Sequence, residues 1–249
     1  MKYRRLLILC GAGMMLSAPV ARAQPAWTLD VETGVAFPGY NDIRIPGDTG
    51  TTFSFSEELT TDPAPYFRLR LTRQLGSQHS LGVLVAPLRL DAAGSLDRPL
   101  DFAGTQFPAG TPLEGSYRFD SYRLIYRWAA IRRAHFRGEI GLAAKIRDAA
   151  IRVEGGGLEA EKKNTGLVPL VSFRADWTWR EKWHLLVDGD ALAASQGRAE
   201  DVLAAIRFDA HPRVAVNLGY RILEGGADND EVYNFTLVHF AAAGVSLFF

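Results

Sequence analysis

Apolar and polar residues alternate along most of this chain. Trp27, Leu29, Val31, Thr33, Val35 and Phe37 share one face of an extended segment, while Thr28, Asp30, Glu32 and Gly34 share the other. A helix would bring apolar residues together at intervals of three and four, so period two specifies strands with one apolar face. The alternation returns in Phe67, Leu69 and Leu71 against Arg68 and Arg70, and in Tyr122, Leu124, Tyr126 and Trp128 against Arg123 and Arg127. Phe173, Ala175, Trp177 and Trp179 oppose Arg174 and Asp176, and Trp183, Leu185 and Val187 oppose His184, Asp188 and Asp190. Val202, Ala204, Ile206 and Phe208 oppose Arg207 and Asp209, and Val214, Val216, Leu218, Tyr220 and Ile222 oppose Asn217 and Arg221.

Ten strands are predicted, at residues 27–37, 65–75, 80–92, 114–128, 135–153, 165–179, 183–193, 200–209, 213–223 and 232–249. Breaks in phase near Pro87, Asp120 and Asp148 predict bulges, which shift register by one residue. Short connections at 76–79, 129–134, 180–182 and 210–212 alternate with longer polar ones at 38–64, 93–113, 154–164 and 224–231; the one at 194–199 is short. That rhythm belongs to an all-β, antiparallel, up-and-down barrel of ten strands, with eight or twelve as alternatives.

Which face is apolar decides the solvent. No run of 18 apolar residues follows the leader, so no helix of this chain spans a bilayer, and a membrane form must be a closed sheet. Trp27, Trp128, Trp177, Trp179, Trp183, Phe208 and Phe249 fall at the short-turn ends of the strands. Phe37, Tyr40, Phe53, Phe55, Tyr117, Phe119, Tyr233 and Phe235 fall at the long-loop ends. Two aromatic girdles suit the two interfaces of a bilayer. A soluble β-sandwich would point its apolar face inward and has no reason to band its aromatics.

The first residues fit a cleaved secretory signal: Lys2, Arg4 and Arg5, then apolar Leu6–Leu16, then Ala21-Arg22-Ala23. The expected organisation is therefore a signal peptide at 1–23 and one barrel domain at 24–249. Removing the leader also removes Cys10, the only cysteine, and with it thiol chemistry. It leaves 24 basic against 28 acidic residues, a net charge of −4, which gives no sign of a nucleic-acid partner.

The chain ends Ala243-Gly244-Val245-Ser246-Leu247-Phe248-Phe249, with apolar residues at 243, 245 and 247 and a terminal aromatic. This ending resembles the closing-strand signal of bacterial outer-membrane β-barrel proteins, although an aromatic is common where Leu247 stands. The resemblance implies an outer-membrane location, outer-membrane lipid around the wall, and delivery by the barrel assembly machinery.

With apolar faces turned to lipid, parity sends Glu32, Arg68, Arg70, Arg123, Arg127, Arg137, Glu139, Lys145, Arg174, Asp176, Asp188, Asp190, Arg207 and Arg221 into the lumen. Ten strands enclose a narrow bore. Paired charges filling it predict a structural or surface-interacting barrel with a largely closed lumen and a loop ligand left unassigned. A narrow porin-like pore for small solutes is the first alternative, and a lipid-modifying hydrolase at the outer leaflet the second. Asp188-Gly189-Asp190 and Asp209-Ala210-His211 resemble the acid and acid–His pairs of omptin-type outer-membrane proteases, but those lie at the outer mouth, whereas here they fall mid-strand and at a short turn. His239 has Leu237 and Ala241 two residues away rather than the serine a hydrolase would need. His79, His135, His184 and His211 sit by short turns and are expected to face periplasm or headgroups. No two histidines share a metal-ligand spacing, so neither a transition metal nor another cofactor is predicted. The acidic turn Glu224–Glu231 lacks the spacing of a calcium loop and reads as a solvated turn.

Overall fold

The computed structural model describes residues 26–194 and 197–249, so the predicted leader lies outside the described residues. In chain order the strands are β1 (Trp27–Arg44), β2 (Phe53–Ser54), β3 (Leu59–Thr61), β4 (Ala64–Leu75), β5 (His79–Ala86), β6 (Arg89–Gly94), β7 (Leu100–Phe102) and β8 (Thr105–Phe107). They continue with β9 (Leu113–Arg133), β10 (Phe136–Gly155), β11 (Leu158–Arg180), β12 (Trp183–Ala194), β13 (Gly197–His211), β14 (Val214–Asp228) and β15 (Tyr233–Phe248). Ten of these, β1, β4, β5 and β9 to β15, form a closed antiparallel barrel. The ring shuts where β15 pairs with β1, and Trp27 and Phe249 exchange two backbone hydrogen bonds of 2.7 and 3.0 Å. Closure leaves no unpaired edge facing hydrocarbon, which an open sheet could not avoid.

The faces point as period two requires. Leu142, Leu167 and Leu218 stand outward at 67%, 72% and 70% exposure, while Arg123, Arg127, Asp188 and Asp190 are buried in the interior. A water-soluble barrel would reverse both. At the short-turn end, Trp183 packs between Trp179 and Phe208, at centroid distances of 6.3 and 4.7 Å.

Toward the other end the polarity of the same strands inverts. Tyr117, Ile151 and Val153 turn inward and are buried. Arg118 and Asp148 pair on the outer surface at 2.6 Å, and Arg89 reaches Asp120 at 2.7 Å. Above the bilayer, water replaces lipid outside the wall, so the inside becomes the only apolar refuge. Phe53, Phe55, Leu59, Leu100, Phe102 and Phe107, all from the two long connections, fill this upper interior as a buried core.

This inversion corrects several expectations. Asp120 and Asp148 are directly paired in a β9–β10 register that runs without a shift from Ile140↔Trp128 to Glu154↔Glu114, so neither marks a bulge. The shifts lie instead at Pro38/Tyr40, Gly138/Ile140, Thr178/Arg180 and Phe208/His211; Pro87 separates β5 from β6, but both pair with β9 in one register (Ala86↔Ser121, Arg89↔Arg118), so it marks no bulge either. Residues 154–164 are not a long loop: β10 and β11 run on to a two-residue turn at Gly156 and Gly157, whose φ values of 60° and 80° favour glycine. Phe53, Phe55 and Tyr117 belong to the core of the cap rather than to a lipid-facing girdle.

The wall has unequal height. Above the pair Val171↔Ala191, β12 continues only to Ala194, whereas β11 runs on to Leu158. Among the described residues, the 158–170 edge of β11 therefore has a strand partner on its β10 side only.

Candidate functional site

Inward positions on a few strands bring the charges together. On β4 these are Arg68 and Arg70, on β9 Arg123 and Arg127, and on β12 Asp188 and Asp190. Asp188 receives Arg70, Arg127 and Arg174 at 2.8, 2.8 and 3.1 Å. Asp201 of β13 receives Arg68 at 2.8 Å and Arg123 and Arg221, each at 2.5 Å. Arg221 also grips Glu32 through Nε and Nη2, at 2.8 and 2.7 Å. The Tyr66 hydroxyl donates to the same Glu32 carboxylate at 3.1 Å.

One pairing explains why a guanidinium is needed. Asp190 and Asp201 stand directly opposite each other across β12 and β13, an arrangement of like charges that repels. Arg123 resolves it by sending Nη1 to Asp190 and Nη2 to Asp201. A lysine, with a single nitrogen, would lack that planar fork.

A second tier lies nearer the short turns. Asp176 takes Arg207 and His184, and Asp209 takes the other ring nitrogen of His184 at 3.1 Å. His184 is therefore a buried lumen residue, not one facing periplasm or headgroups. Arg137 pairs with Glu139 at 2.5 Å, apart from the central cluster.

Asp201, Tyr66 and Ser172, which accepts Nε of Arg127 at 2.8 Å, belong to this constellation and were not singled out from the sequence. Asp201 shares the parity of Arg207 on the same strand, and that signal was sufficient to find it.

The space inside follows the charges. A cavity of about 270 Å³ opens below the central cluster, lined by Arg127, Arg137 and Arg207 among others. Within the cluster, among the described residues, lie voids of about 40 and 10 Å³. Above it lies a larger cavity of about 760 Å³.

No family model and no curated protein matches the sequence. The fold does match solved structures. The outer membrane protease OmpT from Escherichia coli superposes with a TM-score of 0.57 at 10% identity, over 90% of this chain and 96% of that one. The fold is that of bacterial outer-membrane β-barrels. The transport unit of the autotransporter AIDA-I, also from Escherichia coli, superposes at 0.50 with 8% identity, over 95% of this chain and 94% of that one. At such identities the likeness is one of fold.

The protease-like pairs of the sequence are far from one mouth-lining site. Asp188 is held by three arginines and Asp190 by Arg123 in the middle of the barrel, and Asp209 and His211 flank the β13–β14 turn. His239 stacks on Tyr220 on the outer wall, with ring centroids 5.9 Å apart. In the acidic turn, Glu224 is held by Tyr40 and Arg198, and Asn229 Oδ1 accepts the amides of Glu231 and Val232.

Proposed function

We propose that this is a bacterial outer-membrane protein whose barrel does not conduct: a closed scaffold that presents its cap and upper cavity to the outside. The observation that carries this reading is the double clamp of Asp188 and Asp201, each held by two arginines from across the lumen and one from an adjoining strand, with voids of about 40 and 10 Å³ beside them. A hydrated ion needs a continuous polar path, and here side chains already fill it. The lipid-facing band, the tryptophan girdle and the terminal pairing of Phe249 with Trp27 support insertion by the barrel assembly machinery into outer-membrane lipid after removal of the leader.

Planar bilayers test this reading. The purified barrel is expected to insert without producing discrete conductance steps. Stable steps from the unmodified chain would overturn it in favour of a narrow pore. An Arg123→Ala, Asp201→Ala double variant, which removes both sides of one contact, is expected to gain a small conductance.

A further inference from the structure

The upper cavity is unlike the rest of the lumen in its charge. Directly below it, Arg68, Arg123 and Arg221 meet Glu32, Asp190 and Asp201, cations and carboxylates that answer one another. Lys145 then adds another cation. Its side chain lines the cavity at only 2% exposure and makes no ion pair among the described residues; its nitrogen rests 4.6 Å from the centre of the Phe119 ring. Arg147, two residues further along the same face of β10, also lines the cavity; it touches Asn164 through Nη2, while its buried Nε has no partner.

The other cations of the lining are already engaged. Lys162 reaches across to Glu231 at 3.4 Å, and Arg198 holds Glu224. One buried cation, Lys145, and one half-buried arginine, Arg147, whose buried Nε is unused, therefore face one open space. A buried charge without a partner is costly, so such a pair implies an anion that completes it.

The remaining lining joins polar Asn229, Asp230, Asn234 and Thr236 to an apolar stretch, and this stretch meets the wall where, among the described residues, the wall is incomplete. Leu167, Val168 and Pro169 lie on the β11 edge that lacks a strand on its β12 side, and Leu192 and Ala199 face them from β12 and β13. Leu167 is also the last apolar residue of the outward face of β11 before Thr165, Lys163 and Glu161. The gap thus opens at the level where hydrocarbon gives way to headgroups. Exposed backbone edges are tolerated at that depth only where they line a cavity or protein.

We propose that this cavity binds an amphiphile with an anionic headgroup, taken laterally from the outer leaflet: the headgroup sits on Lys145 and Arg147, and the hydrocarbon chain lies along Leu167, Val168 and Leu192. The proposal rests on the closed-scaffold reading only in treating the cavity as blind at its floor. A barrel that conducts yet still binds would sink the earlier reading and leave this one standing.

The test uses the full chain folded in dodecyl maltoside micelles, where a neutral amphiphile is present in excess, with dodecyl phosphate titrated in and followed by calorimetry. One equivalent is expected to bind. Lys145→Met and Arg147→Gln should each weaken it about tenfold or more, the loss of one charge-assisted contact. Ala199→Trp, which fills the cavity and keeps both cations, should abolish it. Lys163→Gln, on the exposed outer face of the same wall, should leave it unchanged. Heat-modifiable gel mobility reports whether each variant is folded; if Lys145→Met fails to fold, Arg147→Gln and Ala199→Trp carry the test. Binding of inorganic phosphate as tight as that of dodecyl phosphate would overturn the lipid assignment in favour of a soluble anion. Affinity unaltered in Arg147→Gln and Ala199→Trp, or no binding at all, would overturn the site.

Discussion

Arg68 of β4 and Asp201 of β13 meet across the lumen at 2.8 Å, although 133 residues separate them in the chain. Three further strands lie between β4 and β13 around the ring, so this contact spans the bore rather than joining neighbours. Asp201→Ala would leave Arg68, Arg123 and Arg221 facing one another without their shared anion. The expected cost is about 3–5 kcal/mol, the usual penalty for orphaning a buried charge. Urea unfolding from lipid vesicles measures it.

The outward face predicts an opposite pattern of tolerance. Leu142 stands near the middle of the lipid-facing band of β10, so Leu142→Arg should destabilise the barrel by about 2–4 kcal/mol in the same assay. Glu161→Arg, on the exposed outer face of β11 beyond that band, should change stability by no more than about 0.5 kcal/mol.

The cap should come loose independently of the barrel. Phe102 is fully buried and packs edge-on against Phe53 at 5.8 Å. Phe102→Ala removes an aromatic from that core, at a cost of about 3–5 kcal/mol. Limited proteolysis should then cut within residues 93–112 while the barrel keeps its heat-modifiable mobility.

A pH effect is expected in the first long connection. Glu58 accepts two hydrogen bonds from Arg98, at 2.6 and 3.1 Å, and one from the amide of Ser54 at 3.1 Å. The Arg98 contacts hold its carboxyl below the ordinary glutamate range, against a smaller opposing effect of burial. A lowered carboxyl pKa contributes stability that is complete above the unfolded value and disappears as pH falls through the folded one. The Ser54 amide should therefore lose hydrogen-exchange protection as the medium is acidified below the ordinary glutamate pKa, and Arg98→Gln should remove that dependence.

The membrane-spanning part of the fold was legible because lipid outside and charge inside impose one rule on every strand. Leu69 and Arg70, or Leu124 and Arg123, announce their faces without reference to any other segment. The rule fails where its cause ends. At Arg118 and Asp120 polar residues turn outward because water is there, and the change of solvent reads in sequence as a slip of register. The double-glycine turn at 156–157 was hidden for the same reason, since β10 and β11 carry reversed alternation up to it. Parity marked Arg68, Arg123 and Asp190 for the lumen, Asp201 was passed over although it shares the parity of Arg207, and parity names no partners. That Asp201 rather than Asp190 would gather three arginines depends on where β4, β9 and β14 stand around the ring, which only closure decides.

The cross-lumen clamp also bears on how the barrel is made. Until the first and last strands meet, Asp188 and Asp201 have only the arginines of adjoining strands, Arg174 and Arg221, and the arginines of β4 lack both aspartates. Half-built intermediates are thereby penalised, and the remaining neutralisation arrives when the cylinder shuts. Such wiring favours a single concerted insertion over a gradual accretion of hairpins.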